Sequence, residues 1–174
     1  YSLATARQLG GKELSYNNIQ DANAALNIVR EFKEPFAVGL KHMNPCGAGT
    51  GKDIAQAWKR AYEGDKTSIF GGIVAFNREV TLEVAQMLKP IFLEIVMAPS
   101  FAPDALELLQ TKKNLRLLVV DMEGEVKEQM ACVSVNGGLL VQNQDLGIVS
   151  AKAEQCVTAV KPSEDQLEDL NFTW

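Results

Sequence analysis

The chain has 174 residues, 47% of them apolar, which is enough for one domain with a sizeable core. With 22% charged residues, 7% aromatics and a net charge of -5, it lacks the broadly basic face that nucleic acid or anionic membranes require. That balance still permits one small basic pocket. No apolar run approaches the roughly 18 to 20 residues of a membrane-spanning helix. The three cysteines (Cys46, Cys132, Cys156) are far apart and form no C-x-x-C, so neither a disulfide framework nor a structural zinc site is supported, and a reduced, cytoplasmic compartment is expected. The chain opens on Tyr1 with no basic-then-apolar leader and reads as a piece of something longer.

In chain order, Tyr1 to Tyr16 is polar and irregular, broken at Gly10-Gly11. A helix is expected from about Ile19 to Lys33. Its stripe of Ile19, Ala22, Leu26, Val29 and Phe32 recurs at three and four, with Asn18 as N-cap and Pro35 as the stop. Phe36 to Leu40 is a short apolar run and reads as a buried strand. Asn44 to Gly51 reads as a glycine-rich loop leading into a helix, with Thr50 as N-cap and Asp53 three residues on. That helix runs to about Glu63 and buries Ile54, Ala57, Trp58, Ala61 and Tyr62, and Gly64-Asp65 ends it.

Gly71-Gly72 then precede a strand from Ile73 to Phe76. Thr81 caps a short helix that Pro90 ends. A strand from Ile91 to Met97 follows, Pro103-Asp104 opens another helix, and Leu115 to Val120 forms the next strand. Strand and helix alternating at this spacing argue for a mixed, largely parallel α/β sheet covered by helices. The last third differs: Val126 to Val135 and Leu139 to Gln142 suggest paired strands around Gly137-Gly138, "QCVTAV" a further strand, and Pro162-Ser163 the start of a terminal helix.

Chemistry concentrates at Lys41 and His42, the latter the only histidine in the chain. A cation and an imidazole where a strand ends beside a glycine-rich turn suit a small-molecule site. The plainer reading is a surface cation beside a hydrogen-bonded histidine. Side chains adjacent on a strand point to opposite faces, so a shared site requires the strand to end or twist there. A phosphate-loop reading of Gly47 to Lys52 fails, because the pattern G-x-x-x-x-G-K-[ST] needs glycine at Cys46 and a hydroxyl at Asp53. A nucleophilic Cys46 with His42 as its base needs acidification at a helix N-terminus and lacks an orienting third group. A zinc deaminase needs H-x-E and P-C-x-x-C, but Asn44 stands where the glutamate belongs and Pro45-Cys46 lacks a second cysteine. The Phe70-Gly71-Gly72 turn reads either as a plain connection or as bare backbone that a ligand ring approaches. Glu94, within an apolar run, either leaves the sheet or binds a ligand's amide or hydroxyl.

"QLGGKELSYNNIQD", "KHMNPCG", "SIFGGIVAFNR", "EIVMAP" and "VNGGLLVQ" together resemble the bifunctional purine-biosynthesis family of AICAR transformylase/IMP cyclohydrolase, in order and spacing over nearly the whole chain. The resemblance implies a three-layer cytidine-deaminase-like α/β fold without catalytic zinc. Residues 1–174 would form the first such unit of the transformylase region, with the cyclohydrolase domain and the second transformylase half not included. It implies transfer of a formyl group from 10-formyltetrahydrofolate to the 5-amino group of AICAR, giving FAICAR, which the family's other domain cyclises to IMP. Lys41 and His42 match the catalytic pair. Phe70, Gly71 and Glu94 match substrate-contacting positions, and Asn44, Pro45 and Gly47 match the loop shaping the site. No metal is implied, the folate-binding segments lie mostly outside the chain, and the family works as a homodimer. The alternatives are a catalytically inert fragment or binding module of the same fold, and a zinc-dependent deaminase.

Overall fold

The computed structural model describes residues 2–122, 130–147, 149–152 and 155–174. Contacts divide the chain into two compact units, Tyr1–Gly124 and Glu125–Trp174.

The first unit holds strands β1 (Arg7–Gly10), β2 (Phe36–Lys41), β3 (Asn44–Thr50), β4 (Ile73–Phe76), β5 (Ile95–Ala98) and β6 (Arg116–Val119). Its helices are α1 (Tyr16–Arg30), α2 (Ile54–Gly64), α3 (Leu82–Leu88) and α4 (Pro103–Gln110). The six strands form one sheet in the order β1-β6-β5-β4-β2-β3. β4, β5 and β6 pair in parallel, whereas β2 is antiparallel to both β3 and β4, and β1 is antiparallel to β6. Four of the six strands therefore run one way, which is the mixed sheet that the alternating pattern predicts.

Strand alternation sorts the core into two layers. Ala37, Val74, Phe76, Val96, Ala98 and Leu117 pack against α2, α3 and α4. Phe36, Val38, Leu40, Ile73, Ala75, Ile95, Met97 and Leu118 pack against Ala22, Ala25, Leu26 and Val29 of α1. With helices on both faces, the architecture is a three-layer α/β sandwich.

Several boundaries differ from the sequence pattern, each for a local reason. α1 starts at Tyr16 rather than Ile19 because Ser15 caps it. The Ser15 hydroxyl accepts the Asn18 N–H at 3.2 Å while Asn18 Oδ1 accepts the Ser15 N–H at 3.1 Å, so Asn18 is the reciprocal partner and not the cap. The cap contributes about 1 kcal/mol. Leu26 and Val29, both buried, contribute about 1.5–3 kcal/mol each. Packing thus holds the helix, while the cap sets where it begins. Ile19 drops out of the stripe and is exposed. At α2 the cap is Asp53, whose carboxylate accepts the Gln56 N–H at 2.8 Å, and not Thr50, which ends β3.

The expected glycine-rich loop over Asn44–Gly51 is mostly strand β3. Its glycines answer to α2: a Cβ on Gly47 would lie 2.0 Å from the Ala61 carbonyl oxygen, and one on Gly49 2.7 Å from that of Ala57. β1, in a stretch that reads as irregular, pairs along the far edge of the sheet, where a half-exposed strand needs no apolar run. β5 begins at Ile95, four residues later than its apolar stretch suggests. Ile91 and Glu94 hydrogen-bond as turn and edge backbone ahead of it.

In the second unit, β7 (Met130–Val135) and β8 (Gly138–Asn143) form an antiparallel hairpin turned at Gly137, whose φ is +77°. The expected strand pair is present from Met130 onward; its residues 126–129 lie outside the described residues. Ser163 caps α5 (Glu164–Thr173) in a reciprocal box with Gln166. The expected strand over Gln155–Val160 does not form. Thr158 Oγ1 donates to the Val160 carbonyl at 2.7 Å, a local turn that competes with strand pairing, and Val157 is 97% exposed.

The close approach of α2 to β3 makes a testable demand. Gly49→Ala is expected to lower the unfolding free energy by about 1–3 kcal/mol, because the opposing atoms are helix backbone that cannot swing aside. Gly64→Ala, whose Cβ would sit 3.5 Å from its nearest neighbour, should stay within about 0.5 kcal/mol of the parent. Urea melts of the two variants distinguish these outcomes.

Candidate functional site

β2 ends where β4, β5 and β6 begin, because β2 alone among these four runs the opposite way. One end of the sheet therefore collects the last residue of β2 and the segments leading into its neighbours. Lys41 closes β2, paired with Asn44 across a two-residue turn made by His42 and Met43. Both turn residues have positive φ, +55° and +63°, the signature of the hairpin turn whose twist matches its strands. Neither is glycine, so the backbone is strained there.

Two contacts hold the turn in place. The Met43 N–H donates to Asp21 Oδ1 of α1 at 2.8 Å, and the Asn44 side-chain amide donates to the His42 carbonyl at 2.8 Å. Strand alternation stops at Lys41, so nothing forces the ammonium and the exposed imidazole onto opposite faces of the sheet.

The Phe70-Gly71-Gly72 turn lies against the same end. Lys41 Nζ donates to the Phe70 carbonyl at 3.0 Å. Gly71 has φ +73° and a bare Cα; a Cβ there would stand 3.9 Å from Lys41 Nζ. Gly72 passes so close to the Leu40 carbonyl that a Cβ would meet it at 2.7 Å. Upstream, the Asp65 carboxylate takes the N–H groups of Thr67 and Ser68 and the Ser68 hydroxyl, and these bonds hold its carboxyl below the usual range. Phe70 is exposed, and its ring stands 5.3 Å from that of Phe92, also exposed.

The Gly71 N–H donates to the Phe92 carbonyl and the Glu94 N–H to the Gly72 carbonyl, both at 2.8 Å, stitching this turn to the approach to β5. Glu94 stands just before β5 rather than inside it, and its carboxylate meets Arg116 of β6 at 2.6 Å. Lys41, Phe70, Gly71 and Glu94 therefore share one end of the sheet, with His42 on the adjoining turn.

Asn44 and Pro45 are exposed at the start of β3. Gly47 lies further along that strand with its bare face against α2. Cys46 is the extra residue where the β2–β3 register slips between Gly39 and Leu40. It sits in a strand and not at a helix N-terminus, and burial pushes its thiol up, against the acidification that a nucleophilic role requires. Among the described residues, no group of three or more His, Cys, Asp or Glu side chains is placed to hold a metal ion.

Three residues that the sequence does not single out belong to this end: Asp21, Phe92 and Arg116. Arg116 carries the same signal as Glu94, a charge within an apolar run. Asp21 and Phe92 carry none, since only the folded chain brings them to the turns. Cavities among the described residues lie elsewhere. One of about 410 Å³ is bounded by Val29, Arg30, Asn77, Arg78 and Met122, where β4 and β6 end. Another of about 700 Å³ lies within the second unit, between residues 151–162 and α5.

A family model described as the AICARFT/IMPCHase bienzyme matches residues 1–174. Among curated proteins, one named bifunctional purine biosynthesis protein PurH from Anoxybacillus flavithermus is 59% identical over 174 residues, covering all of this chain and 34% of its own length. Proteins of the same name from Lactococcus lactis subsp. cremoris and Bacillus subtilis are each 56% identical, over 176 and 173 residues and again 34% of their length. The chain thus spans about a third of the length of the curated relatives it matches.

The raised thiol at Cys46 can be read directly. At pH 8 an alkylating reagent should label the exposed Cys132 well before Cys46, which closes the gap only as the pH rises through its elevated pKa. Site-resolved mass spectrometry of timed samples checks this. Fastest labelling at Cys46 would restore the nucleophile reading.

Proposed function

The chain belongs to the AICARFT/IMPCHase bienzyme family, and from that premise we propose that it is the first cytidine-deaminase-like unit of the AICAR transformylase region of such an enzyme. The reaction is transfer of the formyl group of 10-formyltetrahydrofolate to the 5-amino group of AICAR, giving FAICAR, which the parent enzyme cyclises to IMP. The observation that carries the reading is the gathering of Lys41, Phe70, Gly71 and Glu94 at one end of the sheet, with Lys41 Nζ bound to the carbonyl of the Phe70-Gly71-Gly72 turn.

The chemistry asks for these groups. The AICAR amine is a poor nucleophile, because its lone pair is delocalised into the imidazole and its carboxamide. Attack on the formyl carbon needs a base to take the amine proton and positive charge near the oxygen that becomes an anion. His42, exposed on its strained turn, takes the proton. Lys41, oriented by the Phe70 carbonyl, supplies the charge. Gly71 leaves room for the substrate to approach backbone, and Glu94 accepts hydrogen bonds from the carboxamide or ribose. The folate co-substrate is held largely by segments beyond this chain, and the parent enzyme works as a cytoplasmic homodimer.

Because the chain spans only 34% of its relatives' length, it supplies part of a site. The 174-residue chain alone should therefore show no formyl transfer in an absorbance assay of folate turnover; measurable turnover would mean that one unit suffices. In the full-length enzyme, His42→Ala should lower kcat by roughly 100-fold or more while AICAR affinity changes by less than about threefold. Steady-state kinetics paired with equilibrium binding tests this, and a loss confined to affinity would make His42 a binding residue.

A further inference from the structure

The pairing of Glu94 with Arg116 deepens the proposed function and rests on that reading of Glu94. Arg116 opens β6 beside Ile95 of β5, and its side chain is only 10% exposed, against 37% for that of Glu94. A buried guanidinium requires partners. Its Nη1 donates to Glu94 Oε2 at 2.6 Å, its Nε donates to the Glu13 carbonyl at 2.9 Å, and its own backbone N–H donates to the Glu94 carbonyl at 3.1 Å.

Main chain and side chain of Glu94 are thus both tied to one residue, which is itself anchored to the segment between β1 and α1. Gly11 of that segment has φ +90°, and a Cβ on it would strike the Leu115 carbonyl at 2.3 Å, so the anchor lies directly over the start of β6. The grip on the carboxylate is one-sided. Oε2 is taken, while Oε1 has no hydrogen-bond partner among the described residues.

We propose that Arg116 is the positioning residue for Glu94: it fixes the carboxylate through Oε2 so that Oε1 is presented to an N–H or O–H donor of the substrate. Two consequences separate this from a merely structural ion pair. Nη1 and Nε of Arg116 are taken by Glu94 and the Glu13 carbonyl, so under this assignment its task is positioning and not holding the phosphate. The site it builds recognises donor groups, meaning the carboxamide or ribose hydroxyls, and leaves the phosphate to residues elsewhere. Its loss should also be felt as misplacement of Glu94 and of nothing else at the reacting centre.

The test uses the full-length enzyme with Arg116→Met, Arg116→Lys, Glu94→Gln and the double variant Arg116→Met/Glu94→Gln. AICAR and the corresponding nucleoside without phosphate are titrated into each by calorimetry, alongside steady-state kinetics. Arg116→Met is expected to weaken AICAR by about tenfold, through KM more than kcat, and to weaken the nucleoside by the same factor. In the Glu94→Gln background the same change should cost less than about twofold, since the carboxylate it positions is already gone. Arg116→Lys should recover part of the loss, because one donor replaces a planar fork. If Glu94→Gln weakens AICAR but Arg116→Met does not, or the two factors multiply, the Arg116 assignment is overturned while Glu94 stands as a substrate contact. A loss with Arg116→Met larger for AICAR than for the nucleoside overturns it in favour of a phosphate contact. Wild-type affinity in both single variants overturns the assignment and the reading of Glu94 together. Should Arg116→Met fail to fold, Arg116→Lys decides: intermediate affinity supports the proposal and undiminished affinity overturns it.

Discussion

The structure depends on backbone lying against backbone where α2 crosses β3. Gly47, Gly49 and Gly51 alternate along the chain, so all three bare faces turn the same way, and the main chain of α2 fills the space their side chains would occupy. The helix is thereby set close to the sheet, and Trp58 reaches the core beside Phe76 with ring centroids 5.9 Å apart. Among the described residues, β3 in turn is the only partner on the outer side of β2. Pressing β3 down fixes the hairpin, and with it the corner carrying Lys41 and His42. A glycine repeat that looks like a cradle for phosphate thus serves a helix, since either occupant makes the same demand for a surface without Cβ atoms.

The direction of β2 then decides where chemistry can gather. In open parallel sheets, ligands sit beyond the carboxyl ends of the strands. Here the reversed β2 delivers its carboxyl end among the amino ends of β4, β5 and β6, and the candidate site follows it there. The opposite end of the sheet is occupied by a latch. Buried Asn77 accepts the Phe36 N–H at 2.8 Å and donates to the carbonyls of Phe32 and Glu34 at 2.9 and 2.7 Å, closing the connection from α1 into β2. One end is thus committed to holding the chain together, which leaves the other free to be irregular and exposed.

Legibility in the sequence followed the range of the interaction. β4, the start of α4 and the cap at Thr81 are visible because periodicity, proline and a hydroxyl act within one turn of chain. β1 is invisible because its support comes from β6 and from Gln110 of α4, about a hundred residues away, and an edge strand needs no apolar pattern. Asn18 and Thr50 are credible caps by type, and the neighbouring Ser15 and Asp53 displace them only because their oxygens reach a free N–H. At the site, residue type and motif single out Lys41, His42 and Glu94. What the linear pattern withholds is company: that Lys41 is tied to the Phe70 carbonyl, that Glu94 faces Arg116, and that Asp21 holds the hairpin corner from the neighbouring helix.

The corner at His42 and Met43 also restricts how such a chain can change over evolutionary time. The bulge at Cys46 already absorbs one extra residue of β3, so a further insertion or deletion that no second bulge took up would slide β3 along β2 and turn its side chains to the other surface. The glycines would then face away from α2, and bulkier neighbours would be driven into the helix. A change of length in this segment therefore has to be matched by a compensating bulge, whereas substitution lets its chemistry drift with the register intact.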